Sequence, residues 1–555
     1  MLGKTTQKVI FFAGILLLFS NSFVAAGDRS DKRSKTKTLT GKINSAPGNT
    51  VYIEGSQGDI SIVGADQNEV TVEAKISIET DGIDTELINQ LLEESDLKLE
   101  NYRGGIRIIV DSPREKMRRL GKRGFKNLFK RLFDSDEWNV SIHTELKIYV
   151  PTKQSLSIDN KYGDITIDNV EGTLDIENSS GEVTVENCSG ILDVHNNYAL
   201  VYVNDHDGDV TIRNSSGKVT VLRISGNTEI ENNYKEIRFE DIGGNLIINS
   251  GSSPIEGRNV AGRCDIRSSY KPISVKKVMG NLTIKGNSSQ VSVEDIKGDA
   301  TIETSYKRIE VDSVGGTLKI IGNSCPVYVN NIGKNASIRT SYKEVVVNNV
   351  RGELDLNAGS STVSVENVKS DVYIRSTYKD INVKNIDGGL EIEGGSSTVT
   401  VQGVNKDVNI RTTYKPIDVR DVGGHLTING SSCSVRATNV VGNIDITNSY
   451  KYVILKGTSG SITVRGQSSP IEVSRIKNIP KDGHIELITT YKPIKLFIPS
   501  DFDIAINART QYGEITSDFP VYLTGDRSKK ISIELGKGTI PVRLETSSDI
   551  TIRRE

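Results

Sequence analysis

Tyrosine recurs at a fixed interval through most of this chain, and this repeat constrains the fold more than any other feature. The interval is 36 residues, without a slip, at Tyr162, Tyr198, Tyr234, Tyr270, Tyr306, Tyr342, Tyr378, Tyr414 and Tyr450. Serine stands halfway between them, at Ser180, Ser216, Ser252, Ser288, Ser324, Ser360, Ser396, Ser432 and Ser468. The underlying unit is therefore 18 residues long, and a period held this far predicts a repeat architecture.

Each unit contains apolar–x–apolar triplets that recur every nine residues, such as Ile273-Ser-Val275. Alternation in short runs rich in Val, Ile and Thr predicts strands with one buried side. The Gly, Asn, Ser and Asp between the triplets predict turns. One column of the repeat, from position 167 to position 473, is mostly Val, with a large residue at Phe239 and a small one at Gly257.

The predicted fold class is all-β, a parallel β-solenoid (β-helix) of about eighteen 18-residue coils with β-rich caps at both ends. A single coil cannot bury its own apolar side, whereas stacked coils pair strand on strand and enclose a narrow core. The alternative is a set of β-sandwich domains built from hairpins. Uniform nine-residue spacing, with no pause at domain boundaries, argues against that alternative.

Five segments are predicted along the chain. The first, residues 1–26, has basic residues at Lys4 and Lys8, an apolar stretch and a small-residue exit, which is the pattern of a secretory signal peptide. The protein is therefore expected to be exported and to be periplasmic, cell-surface or secreted. The other segments are a flexible linker at 27–40, an N-terminal cap region at 41–151 with a short helix at 84–94, the repeat array at 152–495 and a C-terminal cap at 496–555.

The N-terminal cap region contains a basic insertion at residues 112–133, in a chain that is otherwise near neutral, with 69 basic and 71 acidic residues. Its profile predicts a basic amphipathic helix that meets a membrane surface or an anionic partner. The residues that would make this contact are Arg118, Arg119, Lys122, Arg123, Phe125, Lys126, Phe129 and Lys130. The alternative is a solvated excursion between two strands, with its apolar side docked on the cap.

Residues 51–72 contain a strand pair around G-D-I-x-I, and residues 147–190 contain a VP strand, the corner N-V-E-G and the strand text S-G-E-V-T-V, close to the S-G-x-I-x-V repeats and N-V-x-G corners of one known family. These segments, and the C-terminal QYGEITSDFPVYLTGDRSKK, resemble the bacterial putative-adhesin domains with β-strand repeats. The resemblance implies a β-helix-type fold and an adhesin role, and it brings no catalytic motif. This chain departs from the family in its longer array, in Tyr-Lys replacing Ser-Gly in every second coil, and in the basic insertion.

The cysteines and histidines predict neither a disulfide framework nor a metal site, and no cofactor is expected. Cys188 falls in an inward corner column and Cys264 in a strand position. Cys325 and Cys433 share a serine column but lie 108 residues apart, which places them beyond disulfide reach. The five histidines share no spacing typical of a zinc site.

A polysaccharide lyase or hydrolase with a β-helix fold is the alternative class of protein. Its catalysis would need a cluster of acids and bases that breaks the repeat. Asp205-His206-Asp207 is the nearest irregularity and comes directly before Gly208 at an ordinary corner. We interpret it as a polar turn, and the chain is expected to be non-enzymatic.

Lysine follows seven of the tyrosines, and we call these pairs the tyrosine–lysine column: Tyr234-Lys235, Tyr270-Lys271, Tyr306-Lys307, Tyr342-Lys343, Tyr378-Lys379, Tyr414-Lys415 and Tyr450-Lys451. Neighbouring pairs would lie about 9.6 Å apart, twice the strand separation, which is close to the disaccharide repeat of an extended polysaccharide. Aromatic faces pack on sugar rings, and an ammonium group pairs with carboxylate or sulfate.

The column therefore predicts a linear platform for an extracellular polysaccharide or another cell-envelope component, with no nucleic acid expected. The alternative interpretation is a large–small packing ladder of Tyr and Ser, because repeat ladders most often serve packing. That alternative is the simpler of the two, but it does not explain why Lys accompanies Tyr so regularly.

Overall fold

The computed structural model describes residues 32–56, 58–81, 85–113, 139–523 and 529–555. Within these ranges the chain forms β-strands and one α-helix, α1 (Thr85–Glu93), which lies inside the interval where a helix is predicted. The predicted signal peptide at 1–26 and the basic-insertion residues from Arg118 to Lys130 lie outside the described residues. In the described part of the chain, no helix is long and apolar enough to cross a membrane.

The strands that precede the repeat array are β1 (Lys32–Asn44), β2 (Thr50–Ser56), β3 (Asp59–Ala65), β4 (Glu69–Asp81), β5 (Asp96–Tyr102), β6 (Gly105–Asp111) and β7 (Asn139–Pro151). The first half of the array consists of β8 (Ser155–Asn160), β9 (Ile165–Asp168), β10 (Leu174–Asn178), β11 (Val183–Ser189), β12 (Leu192–Asn196), β13 (Val201–Asp207), β14 (Val210–Asn214), β15 (Val219–Ile224), β16 (Thr228–Asn232), β17 (Ile237–Ile242), β18 (Leu246–Ser250), β19 (Ile255–Val260), β20 (Cys264–Arg267), β21 (Ile273–Val278), β22 (Leu282–Lys285), β23 (Val291–Ile296), β24 (Ala300–Ser305), β25 (Ile309–Val314) and β26 (Leu318–Asn323).

The second half of the array consists of β27 (Val327–Ile332), β28 (Ala336–Ser341), β29 (Val345–Val350), β30 (Leu354–Gly359), β31 (Val363–Val368), β32 (Val372–Ser376), β33 (Ile381–Ile386), β34 (Leu390–Gly394), β35 (Val399–Val404), β36 (Val408–Thr413), β37 (Ile417–Val422), β38 (Leu426–Ser431), β39 (Val435–Val440), β40 (Ile444–Ser449), β41 (Val453–Lys456), β42 (Ile462–Gln467), β43 (Ile471–Ser474), β44 (Ile485–Ile488) and β45 (Ile494–Ile498). The strands that follow are β46 (Ile504–Thr510), β47 (Ile515–Ser517), β48 (Tyr522–Leu523), β49 (Lys530–Leu535), β50 (Ile540–Thr546) and β51 (Ile550–Arg554).

Two parallel sheets run the length of the array, and each coil contributes one strand to each sheet. From β8 to β45 the even-numbered strands form one sheet, the even sheet, and the odd-numbered strands form the other, the odd sheet. Within each sheet the register advances by one unit, so that Val291 pairs with Ile309 and Leu282 pairs with Ala300. The predicted all-β parallel β-solenoid of about eighteen coils is therefore confirmed.

The apolar–x–apolar triplets supply the core because the outer members of each triplet point inward. In β23, for example, Val291 and Val293 are buried while Ser292 between them is half-buried. The inward corner residues are buried as well, as at Val170 and Ile242. Each fully buried Val, Leu or Ile side chain stabilises the folded stack by about 1.5–3 kcal/mol.

The end of each odd-sheet strand from β9 to β43 has a residue in the left-handed conformation, directly before the inward corner residue. Asn331, Asn349 and Asn367 have φ of 59°, 58° and 60°, respectively. Asn and Asp adopt this conformation more readily than other non-glycine residues, which explains the N-V-x-G text of the repeat. Their side chains also bond across coils, since Asn367 Nδ2 donates to Asn349 Oδ1 at 3.2 Å.

Strand order in space departs from strand order in sequence at both ends of the array. Near the N-terminus, β2 lies between β8 and β6, and β3 lies between β9 and β7. Near the C-terminus, β50 lies between β44 and β46, and β51 lies between β45 and β47. The segment at 496–555, predicted as a cap that loses the repeat frame, therefore adds further coils before β49 pairs antiparallel with β46.

The flexible linker predicted over 27–40 is wrong for its described part, because residues 32–40 are the first nine residues of strand β1. Exposed and half-buried side chains alternate along this strand: Thr38, Thr40 and Lys42 are exposed, and the residues between them are half-buried. The strand pairs with β4. The linker was predicted from low hydrophobicity alone. Main-chain hydrogen bonds to β4 nevertheless make this polar segment a strand.

Contacts divide the chain into two units. The smaller comprises, among the described residues, 32–37, 76–81, 85–95, 112–113 and 139–143. In it α1 buries Ile88 and Leu91, and Lys37 Nζ donates to the carbonyl oxygens of Leu92 and Ser95, each at 2.9 Å. This lysine caps the C-terminal end of the helix, where unpaired carbonyl groups favour a cation. The larger unit comprises residues 38–75, 96–111 and 144–555 and contains the array.

Candidate binding surface

The tyrosine–lysine column lies at the corner after every second even-sheet strand, where the side chains are exposed to solvent. Tyr234 is 67% exposed and Tyr342 is 71% exposed, and the other tyrosines of the column fall between 61% and 70%. All seven lysines of the column are exposed. Successive Tyr-Lys pairs are 36 residues apart in the sequence but two coils, or about 9.6 Å, apart in space. The stacking of coils therefore aligns them in a row.

A buried polar side chain inside each of these corners holds its main chain in place. Asn232 Nδ2 donates to the carbonyl oxygens of Gly217 at 2.9 Å and Lys235 at 3.1 Å. In a later coil Thr304 Oγ1 donates to the carbonyl oxygen of Ser289 at 2.8 Å. Since buried carbonyl groups need partners, these inward Asn, Ser and Thr residues satisfy the turn from within and leave its side chains free to face solvent.

Five tyrosines of the column have a left-handed main chain: Tyr270, Tyr306, Tyr342, Tyr414 and Tyr450, with φ between 61° and 68°. The turn is tight, because the amide of Lys307 donates to the carbonyl oxygen of Ser305 at 2.8 Å. For a bulky side chain this conformation costs on the order of 1–2 kcal/mol, and Gly or Asn would fit at lower cost. Ser324, Ser360 and Ser432 in the intervening coils share this conformation, with φ between 56° and 60°, so it belongs to the corner and not to Tyr alone.

The ammonium groups of the column are not used within the described protein. No ion pair or hydrogen bond joins the Nζ atoms of these seven lysines to any described residue. Lysines elsewhere on the solenoid differ: Lys218 pairs with Glu236 at 2.7 Å and Lys276 with Glu294 at 2.8 Å. The column therefore presents a row of unneutralised positive charges.

The structure disfavours the interpretation of the tyrosines as an internal packing ladder. Their rings are exposed, and the ring–ring contact in the described chain joins Tyr52 to Tyr102 and lies outside the column. The serines between them are half-buried at most positions, as at Ser288 and Ser324. The tyrosine rings are therefore more exposed than the serines that alternate with them.

The column continues beyond the residues that the repeat text defines. Tyr491, 71% exposed, is followed by the exposed Lys492 in the next two-coil step. Tyr512 comes two coils further in space, because its amide donates to Ser547 O at 3.3 Å and the amide of Ser547 donates to Thr490 O at 3.1 Å. The Tyr–Ser alternation thus persists through the permuted coils, which no sequence period could have shown.

The interpretation of Asp205-His206-Asp207 as a polar turn needs correction at its central residue. His206 is 2% exposed and pairs in register with Cys188 and Ile224, in the inward corner column. Its Nε2 donates to Gly190 O at 3.1 Å, and burial lowers its pKa. Asp205 faces outward, where its hydrogen bond with Arg223 lowers its pKa. The three side chains therefore do not converge on one exposed site.

A groove of about 790 Å³ on the even sheet collects acidic and histidine side chains, including Asp371, Asp407 and His425. These groups hold the coils together. Asp371 Oδ1 accepts from the amide of Gly389 at 2.8 Å, Asp407 Oδ1 from the amide of His425 at 2.7 Å, and His425 Nδ1 from the amide of Asn443 at 2.9 Å. Their hydrogen-bonding capacity is directed along the stack, where it serves the structure of the repeat.

All four cysteines are buried and unpaired, as the repeat register predicts. Burial raises the pKa of the Cys188 thiol to about 11 and raises that of Cys264 further. Cys325 and Cys433 occupy the inward position that buried serines such as Ser289 hold in other coils. Within the described ranges, no group of three or more His, Cys, Asp or Glu side chains could hold a metal ion.

These features define a class of protein: a capped parallel β-solenoid with an exposed row of aromatic and cationic side chains along one corner. The particular family follows from sequence comparison. The chain belongs to the Toastrack DUF4097 family, whose profile matches residues 140–267 and 309–553. The matched residues cover most of the array and the C-terminal coils, so the family resemblance noted in the sequence is confirmed.

Two solved structures are similar to parts of the chain. A "putative adhesin" from Bacteroides fragilis is 13% identical, with 51% of this chain and 97% of that chain covered and a TM-score of 0.18. A "putative cell adhesion protein" from Clostridium sporogenes is 12% identical, with coverage of 52% and 100% and a TM-score of 0.15. Both scores are too low for a functional inference. No curated protein matches the chain.

Proposed function

We propose that this protein is an exported, non-enzymatic, adhesin-type β-solenoid that binds a linear polysaccharide along the tyrosine–lysine column. One observation carries the proposal: exposed tyrosines are paired with unneutralised lysines at an even spacing. A ligand that repeats at about the same interval can contact every pair, and the contacts add along the chain by multivalency.

Each pair offers two complementary contacts to a sugar polymer. The Tyr ring provides a rigid apolar face at low conformational cost, and a pyranose ring can pack on it. The adjacent Lys provides a mobile point charge for carboxylate or sulfate. Each contact alone is weak at an exposed site, about 1 kcal/mol or less for a charge pair, so affinity comes from their number.

The alternative function is degradation of polysaccharide by a β-helix enzyme. Such an enzyme needs an acid and a base directed at one scissile bond. The two irregular clusters of the described chain, around His206 and in the groove near His425, direct their polar groups into the core or along the stack. A binding surface therefore fits these side chains better than a catalytic cleft does.

Binding of the exported chain to immobilised acidic and neutral polysaccharides tests the proposal. Changing the seven column lysines to Gln should abolish most of the retention on acidic polysaccharides at low salt, where charge pairs between lysine and polymer are least screened. A matched control changes seven exposed lysines elsewhere: Lys276, Lys297, Lys319, Lys334, Lys369, Lys384 and Lys406. Equal retention of both variants, or turnover of the polymer by the native protein, would contradict the proposal.

Export and contact of the basic insertion with a membrane or an anionic partner remain predictions from the sequence. Fractionation of cells that produce the full chain tests export, since a retained signal peptide and a cytoplasmic pool would contradict it. Vesicles with and without anionic lipid test the insertion, with substitutions at Arg118, Arg119, Lys122 and Arg123 as the variant.

A further inference from the structure

Three arginines run beside the tyrosine–lysine column with the same two-coil period. Arg339, Arg375 and Arg411 each stand three residues before a column tyrosine, namely Tyr342, Tyr378 and Tyr414. All three are exposed residues of even-sheet strands. The register links them in one line across the sheet, Arg339–Asn357–Arg375–Glu393–Arg411. We call this line the arginine row.

A groove of about 620 Å³ lies along the same coils, lined by Arg375, Glu393 and Arg411, by asparagines and by small residues. The small residues occupy the outward positions between the arginine row and the tyrosine corner, and they are Gly359, Thr377, Gly395, Thr413 and Ser431. Two of their hydroxyl groups form hydrogen bonds within the protein: Thr377 Oγ1 bonds with Ser360 Oγ at 2.7 Å, and Thr413 Oγ1 donates to Gly395 O at 2.6 Å. The groove therefore runs parallel to the tyrosine–lysine column.

The charges on this segment are mostly unneutralised. Arg375 pairs with Glu393 at 3.0 Å, between exposed side chains. Neither Arg339 nor Arg411 forms an ion pair or a hydrogen bond to any described side chain. Each tyrosine of this segment is thus flanked by a guanidinium on the sheet side and an ammonium on the corner side.

We infer that the ligand of this segment is a linear glycan that carries anionic groups on both edges of each disaccharide, with one edge on the arginine row and the other on the lysines. The inference rests on the proposed function and narrows its ligand class. A polymer with one anionic group per disaccharide would satisfy a single row, and the second row would then remain unmatched.

The two rows differ in what they can recognise. The guanidinium group offers a planar fork of donors that matches carboxylate or sulfate with two parallel hydrogen bonds, whereas the ammonium group acts as a point charge. The floor of small residues lets the sugar backbone approach the sheet, so that its anionic groups reach both sides. We therefore expect the arginine row to discriminate between ligands and the lysines to supply general attraction.

A pair of commercial polymers isolates the second charge. Hyaluronan carries a carboxylate on each disaccharide, and chondroitin sulfate carries a carboxylate and a sulfate on a closely similar backbone. The native protein should bind chondroitin sulfate about tenfold more tightly than hyaluronan at moderate salt, because several weak charge pairs act along one chain. The triple variant R339Q/R375Q/R411Q should reduce this ratio to about twofold, because it should weaken chondroitin sulfate binding several times more than hyaluronan binding.

The matched control removes the same charge from the odd sheet, with R238Q/R258Q/R436Q, and should keep the native ratio. Equal affinity of the native protein for the two polymers, or an equal loss of both in the arginine variant, would overturn this inference alone. Absence of binding to any polymer would overturn the proposed function as well. Tighter binding of a single-stranded oligothymidylate, with the same arginine dependence, would overturn the inference in favour of nucleic acid.

Discussion

The ring of Phe239 fills the space above Gly257 in the core of the solenoid. The two residues are partners in the register of β17 and β19, in the inward column that holds Val in most coils. A methyl group placed on Gly257 would lie 2.4 Å from the Phe239 ring. Leu455 and Ala437 form a second large–small pair in the same column, again in neighbouring coils. In these two pairs a large side chain in one coil compensates for a small one in the neighbouring coil, so that the pair together fills the space that two Val side chains fill elsewhere.

The Phe239–Gly257 pair predicts a strong non-additivity. Phe239→Val should destabilise the coil by about 2 kcal/mol through the cavity it leaves, and Gly257→Val by about 1–3 kcal/mol through overpacking. The double variant restores the Val–Val arrangement of other coils and should recover to within about 1 kcal/mol of the native protein. Native-state hydrogen exchange in β17 and β19 measures this. Additive losses would show that the two side chains do not share one volume.

Stability near His206 should depend on pH. Burial lowers the pKa of His206 below its ordinary value of about 6.5. Between that lowered pKa and 6.5 the unfolded chain binds more protons, so stability rises with pH there. It is fully present above about pH 6.5 and is lost as the pH falls toward the lowered pKa. Hydrogen exchange of β13 between pH 7 and pH 5 should show the loss.

His206→Ile tests this assignment, because Ile and Val occupy the same column at Ile224 and Val170. The variant should remove most of the pH dependence in β13. His195→Gln is the control, because it removes an exposed histidine that lies two coils from Tyr234, the nearest tyrosine of the tyrosine–lysine column. This variant should retain the pH dependence. A pH dependence that survives His206→Ile would assign the effect to another group.

The C-terminal strands should determine whether the last coils fold. β50 and β51 lie between the coil of β44 and β45 and the coil of β46 and β47. Deletion of residues 540–555 removes β50, the parallel partner of β46, and leaves β46 paired with β49 alone, so hydrogen-exchange protection in β46 should fall to that of an edge strand. Strands β21 and β23 serve as the internal control, because stability in a solenoid is a sum of neighbouring contacts. Full protection of β46 would contradict the insertion.

The strained tyrosines should gain local stability when replaced. Tyr306→Asn should stabilise its turn by about 1 kcal/mol, since Asn adopts the left-handed conformation with less strain. The same change at Tyr378, which is exposed but not left-handed, is the matched control and should bring no gain. Amide exchange at position 306, whose hydrogen bond to Asn323 O is 2.8 Å, reports the effect. Both variants should weaken polysaccharide retention, and a loss of stability at position 306 would show that the ring is structural.

Much of the array follows from the sequence because every coil repeats one local solution. The nine-residue triplets place the strands, and the Asn, Asp or Gly that precedes the inward residue in most coils places one corner, since these residues adopt the left-handed conformation that the turn requires. The buried positions of Cys188 and Cys264 follow from the same register. The exposure of the tyrosines does not follow, because an alternating Tyr–Ser column fits a packed ladder as well as an open one.

The candidate site shows the same division. The seven Tyr-Lys pairs can be recognised in the amino-acid sequence. The arginine row cannot, because its column of the repeat has no consensus and also contains Glu303, Asn357 and Glu393. Register and outward direction bring the arginines beside the tyrosines. The buried His206 was also missed, since an Asp on each side gave it the text of a polar turn.

The sequence by itself determined the solenoid, its period and its core, because a short-range pattern repeated many times leaves a single way to bury the apolar side of each coil. Tertiary structure decided what happens where the repeat stops. The insertion of β50 and β51 between earlier coils, and the place of Tyr512 in the column, depend on pairing between strands far apart in the chain. Any exposed strand edge can pair with another strand, so the local sequence does not specify which segment of the chain pairs with it.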